Sequence, residues 1–120
     1  MNIIDAQRTT TLEITLNSSQ TKYFFGKQPI VEGKSLTNLF YKKTGNAPSG
    51  AVVAGNDCYI SLVNENSERV IDNLTSDLLP NSLNGVLAFK PEKINWEKSE
   101  IIVGGAITPG QSLVFIAIYK

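Results

Sequence analysis

The sequence contains no histidine and only one cysteine, Cys58. Histidine is the side chain that most often moves protons near neutral pH and binds transition metals, so serine–histidine and cysteine–histidine nucleophiles are excluded within one subunit. A lone cysteine excludes an intramolecular disulfide and any zinc or iron–sulfur centre held by several thiolates. On a strand it reads as a small buried hydrophobe. Net charge is also missing: 11 basic residues balance 11 acidic ones, and no basic run exceeds Lys42-Lys43. The electrostatic footprint of a nucleic-acid binder is therefore absent, and no direct nucleic-acid binding is expected. The longest apolar run, residues 113–119, is too short to cross a bilayer as a helix, so a transmembrane protein is not expected. The first residues lack the basic segment and long apolar run of a secretory signal, which argues against export by the general pathway.

What is present is a globular composition, 42% hydrophobic and 18% charged over 120 residues, the size of a single domain spanning residues 1–120. Leu12, Ile14 and Leu16 alternate with Thr11, Glu13 and Thr15, the period of a half-buried strand. After the turn formers at 17–20, residues 21–25 are aromatic and β-rich, and the first two strands are expected to form a hairpin. Ile30-Val31 reads as a short extended piece. Leu36, Leu39 and Phe40 have helical spacing with Ser35 as a possible cap, which predicts a short helix over 35–41. Residues 44–50 hold the densest cluster of turn formers and predict an exposed, mobile loop, with 51–54 a short strand after it. Cys58, Ile60 and Leu62 alternate with Tyr59 and Ser61. A loop at 64–67 then leads into a return strand over 68–72. Leu74, Leu78 and Leu79 suit a single helical turn, residues 86–89 a strand, and Ile94, Trp96 and 101–103 extended structure. Thr108-Pro109-Gly110-Gln111 matches a type II turn.

The final strand, 112–119, is apolar on both faces. Such a strand needs cover on both, from a second sheet plus a helix or from a neighbouring subunit. Leu113, Phe115 and Ala117 are expected opposite Val114, Ile116 and Ile118, with both sets substantially covered in the assembled state, so that Ile116→Lys abolishes soluble folding or assembly. About eight short strands without alternating long helices predict an all-β, antiparallel β-sandwich. Long connections at 27–50 and 73–85 favour a single jelly roll, with an immunoglobulin-like sandwich as the alternative.

No residue pattern assigns catalysis, and no enzyme, cofactor or metal site is expected. Asp57, Asp72 and Asp77 lie in or near loops, and a carboxylate pair can hydrolyse a glycosidic bond without histidine, yet isolated acids in turns are ordinarily solvated. No calcium loop of the Asp-x-Asp-x-Asp-Gly type occurs. Trp96, Tyr59, Tyr41 and Tyr23 would stack on sugars if exposed, which keeps a small carbohydrate-binding or adhesive β-domain as the second functional reading. Trp96, Phe115 and Tyr119 are the residues expected at subunit contacts, where aromatics dominate. Asn46 and Ser49 are expected to tolerate substitution within about 0.5 kcal/mol, as surface positions do.

A short, histidine-free chain rich in Asn, Ser and Thr, ending in the apolar strand Ser112-Leu-Val-Phe-Ile-Ala-Ile-Tyr119, resembles small structural proteins of bacteriophage virions, nearest to the single-jelly-roll penton and minor capsid proteins. The resemblance covers the whole chain as architecture and composition. It implies a non-enzymatic homo-oligomer in a symmetric ring that contacts other capsid proteins, assembled in the host cytoplasm and located in the virion.

Overall fold

The computed structural model describes residues 8–17, 20–79 and 90–120. Within them lie eight strands: β1 Arg8–Thr15, β2 Lys22–Phe24, β3 Ser35–Lys42, β4 Cys58–Val63, β5 Arg69–Thr75, β6 Glu92–Lys93, β7 Glu100–Val103 and β8 Ser112–Tyr119. A single 3-10 turn, Ser76–Leu78, follows β5. The strands form two four-stranded antiparallel sheets in the orders β1-β8-β3-β6 and β2-β7-β4-β5. β1 pairs with β8, β2 with β7, β3 with β6 and β4 with β5, as if one long hairpin had been wound around itself. The lateral pairs β3·β8 and β4·β7 then close each sheet. This is the winding of a jelly roll. The immunoglobulin-like alternative is excluded, because it keeps the first two strands in one sheet.

The same topology overturns the hairpin expected of β1 and β2. Leu16 stays bonded to the start of β8, donating to Gln111 O at 2.8 Å and accepting from Gly110 N at 3.2 Å, before the chain crosses to the other sheet. Side chains from both sheets meet in one core that includes Leu12, Leu16, Tyr23, Leu39, Ile60, Leu62, Ile101 and Leu113. An aromatic row runs through it. Trp96 meets Phe25 edge-on at 5.2 Å, Phe25 meets Phe115 at 5.5 Å, and Tyr41 stacks on Phe115 at 5.0 Å.

The helix expected over 35–41 is strand β3. Its register against β8 slips between Leu36 and Asn38, so one extra residue separates inward Leu36 from inward Leu39 and Tyr41. That bulge produces a three-residue apolar step, which a sequence read alone takes for a helical period. Asn38 Oδ1 accepts the Leu39 N–H at 2.8 Å beside it. Ile30 and Val31 also differ from expectation: they lie in a turn held by Val31 N–H and Glu32 N–H on Gln28 O at 3.1 and 2.9 Å.

The β4–β5 hairpin is present, and Asn64 builds its turn by accepting the N–H groups of Asn66 and Glu68 at 3.0 and 2.9 Å. Gly110 takes φ 86° in the 108–111 turn, the value that the third position of a type II turn requires. Ile94 bridges to Asn64, after which Trp96 enters a turn rather than a strand. The strand expected at 86–89 lies outside the described residues.

β8 is one of the two central strands of its sheet, and its inward Leu113, Phe115 and Ala117 are buried. Cover on the outer face at Val114 comes from neither a helix nor a neighbour. The chain after β3 folds back over it, and Ala47 and Val53 pack with Val114 in a second small core. Val53 N–H donates to Gly45 O at 3.0 Å and Ala54 N–H to Ser112 O at 2.7 Å, so residues 45–54 close a strap on this face. Ile116 and Ile118 are half-buried in the single chain, where a lysine at 116 can reach water.

Candidate interaction surface

Two of the three aspartates, Asp72 in β5 and Asp77 in the 3-10 turn, are engaged in separate surface ion pairs: Asp72 with Arg69 at 2.6 Å and Asp77 with Lys43 at 3.1 Å. Among the described residues no group of three or more acidic or thiol side chains is placed to hold a metal ion. Cys58 is fully buried, and burial pushes its thiol up to about 11, against the weaker opposing effect of a hydrogen bond with Ser76. A thiol held protonated at neutral pH is a poor nucleophile. A disulfide reagent is therefore expected to leave Cys58 unmodified in the native protein and to react promptly once denaturant is added. Rapid native reaction would show that the strand 58–63 opens.

The aromatic residues divide sharply. Trp96, Phe115 and Tyr119, expected at subunit contacts, are core residues with 4%, 0% and 7% exposure, because β8 is central and the turn after β6 points Trp96 at Phe25. Tyr41 and Tyr23 are buried as well. Tyr41 donates to Asn56 O at 2.6 Å, and the Tyr23 hydroxyl reaches Gln20 O at 2.6 Å. Tyr59 alone of the four aromatics considered for sugar stacking is exposed.

Tyr59 belongs to a patch that sequence spacing did not single out. On the outer face of the β2-β7-β4-β5 sheet, Ile102 stands in register between Lys22 and Tyr59, and Glu100 stands between Phe24 and Ser61. Phe24, Tyr59 and Ile102 are 51%, 46% and 37% exposed. Directly opposite side chains on neighbouring strands are about 5 Å apart and diagonal ones about 7–8 Å, so Tyr59 adjoins Ile102, and Phe24, opposite Glu100, lies diagonal to Ile102 on the same face. Lys22 edges it, pairing with Glu100 at 3.0 Å and lying 5.4 Å from the Phe24 ring centre. An aromatic centre with a charged rim has the make-up of a protein contact. The signal in the sequence was present but weak: Phe24 and Tyr59 occupy the polar phase of their strands.

On the opposite sheet, Glu13 fastens the strap. Its carboxylate accepts the Ser49 N–H at 3.1 Å, the Ser49 hydroxyl, and the Ser112 hydroxyl at 3.1 Å. The Ser49 hydroxyl bond is the main cause that holds this carboxyl below its ordinary value, overcoming the opposing effect of burial. Ser49 is thus not a free loop residue, and Ser49→Ala is expected to cost about 0.5–1.5 kcal/mol, as loss of a hydrogen bond does. A carboxyl lowered in the folded state contributes stability that is complete above its unfolded value and is lost as pH falls through the native one. Thermal melts are expected to show this loss below the ordinary carboxyl value of 4.5, and Glu13→Gln is expected to flatten that part of the profile.

One end of the sandwich carries a concavity of about 200 Å³ lined by Lys27, Gln28, Glu32, Glu65, Asn95 and Trp96 among others. The Trp96 ring is almost wholly covered there, which leaves a polar hollow without a stacking surface. Among the described residues no helix is long and apolar enough to cross a membrane. The chain is thus a jelly-roll β-sandwich that exposes Phe24, Tyr59 and Ile102 together on the outer face of one sheet. Comparison with protein families, curated proteins and solved structures finds no match to it.

Proposed function

We propose that this protein is a non-enzymatic structural subunit of a virus particle, of the penton or minor capsid kind found in bacteriophages, acting through contacts with its own copies and with other capsid proteins. The observation that carries the reading is the apolar face of Phe24, Tyr59 and Ile102 on a jelly roll, an architecture that capsid subunits use. A patch of this kind on a soluble domain marks a contact surface. The jelly roll also serves lectins, and exposed Tyr59 supports carbohydrate binding as the second reading.

Native mass measurement of the full chain separates the two. The structural reading expects a closed cyclic oligomer that the double variant Phe24→Asp, Tyr59→Asp dissociates, with the circular dichroism spectrum of the fold retained. A monomer that binds glycans on an array, and loses them with Tyr59→Ala, would overturn the structural reading in favour of the second.

A further inference from the structure

We propose that residues 46–51 form a latched flap: the Glu13 carboxylate holds its tip to β1, and protonation of that carboxylate lets the flap lift from the sheet and uncover Val114.

The latch follows from the register of three strands. Glu13 in β1 and Lys42 in β3 both stand opposite Val114 in β8, so the three make one row across the outer face of the sheet. Leaving β3, the chain turns back at Gly45, whose φ of 101° a side chain rarely adopts, and crosses this row toward β1. It is pinned at both ends of the row. Lys42 Nζ donates to Asn46 O at 2.9 Å, and Ser49 donates to Glu13 through its N–H at 3.1 Å and through its hydroxyl.

The flap has hydrogen bonds of its own and little apolar attachment. Gly50 N–H donates to Ala47 O and Ala47 N–H to Ala51 O, both at 2.8 Å, and Asn46 bridges to Val52. Its base stays on β8, where Ser112 N–H donates to Val52 O at 3.1 Å and Ser112 O accepts from Ala54 N–H at 2.7 Å. Beyond that base Ala47 alone is buried, against Val114, whereas Asn46, Pro48, Ser49 and Gly50 are exposed and Ala51 is half-buried. One methyl group buries little area, so the tip depends on the carboxylate.

Among the described residues Glu13 is the one acid in these surroundings. Residues 45–54 hold no ionisable side chain, and neither does the outer face of β8 at Ser112, Val114, Ile116 and Ile118. The rest of the outer face of β1 is Thr9, Thr11 and Thr15; Lys42 is the only charged residue of β3, and Lys43 is turned to Asp77 at 3.1 Å. With the Ser112 hydroxyl at 3.1 Å, three donors hold the ionised carboxylate, which stays ionised at neutral pH and keeps the flap shut. Hydrogen bonds to an ionised acceptor are about twice as strong as neutral ones, so protonation weakens all three together.

The test places a reporter under the flap, Val114→Cys in a Cys58→Ala chain. It is labelled with dithiodipyridine, which reacts with thiols at acid and neutral pH, and each rate is divided by that of the same variant unfolded in urea at the same pH. Between pH 7 and pH 3 labelling is expected to quicken about tenfold, the scale of one charge-assisted hydrogen bond, with the circular dichroism of the fold retained. Adding Glu13→Gln should give the fast rate at both pH values, and adding Lys42→Met should leave the pH response in place. If the cysteine variant fails to fold, hydrogen exchange in the unaltered chain decides: protection of the Ser49 amide, relative to its intrinsic rate, should fall over this pH range while that of Phe115 does not. No quickening at pH 3, a response that survives Glu13→Gln, or labelling that rises only as the circular dichroism collapses would overturn the flap. The device rests on the fold alone, so its failure leaves the structural-subunit reading untouched.

Discussion

Truncating Phe115 to alanine is expected to cost about 3–5 kcal/mol, the range for removing a large aromatic ring from a packed core. Phe115 has no exposure, stacks on Tyr41 at 5.0 Å and meets Phe25 at 5.5 Å, so its removal breaks the aromatic row at the point where β8 joins the two halves of the core. The cavity cannot close easily, because β8 is held by β1 on one side and β3 on the other. Urea denaturation should show a lower midpoint with an unchanged slope, the mark of lost stability rather than altered compactness. A shift of less than about 1 kcal/mol would contradict the central placement of this ring.

Val114→Asp should be comparably severe, from the opposite face of the same strand. Val114 is 1% exposed beneath Ala47 and Val53, and it stands in register with Glu13. The substitution buries an unpaired carboxylate and sets it opposite another, for which about 3–5 kcal/mol is the expected loss. The strap should open first. Exchange at the Val53 and Ala54 amides, which donate to Gly45 and Ser112, reports on it directly. Unchanged protection of these two amides with an unchanged melting temperature would mean that residues 45–54 do not contribute to the fold.

Much of the architecture was legible in local pattern. Alternation at Leu12, Ile14 and Leu16 and at Cys58, Ile60 and Leu62 marked β1 and β4, and Pro109-Gly110 marked the turn into β8. The candidate site was less legible. Phe24 and Tyr59 are separated by 35 positions, and only the register of β2 and β4 on β7 puts them on one face of the sheet. Trp96 was placed at a contact because aromatics favour both cores and interfaces, and composition cannot distinguish the two. Ser49 looked like a free loop residue for a related reason: its partner Glu13 is 36 positions away.

The sequence by itself determined the alternating strands β1 and β4, the hairpin at 64–67 and the need for cover on both faces of residues 112–119, because each follows from the period and chemistry of adjacent residues. Only the tertiary structure decided which sheet each strand joins, that a bulge makes 35–42 extended, and that the chain covers Val114 with its own strap. Those outcomes depend on pairings between residues far apart in the chain, such as β1 with β8, whose free energy arises when both partners are desolvated together. No window of neighbouring residues contains that information.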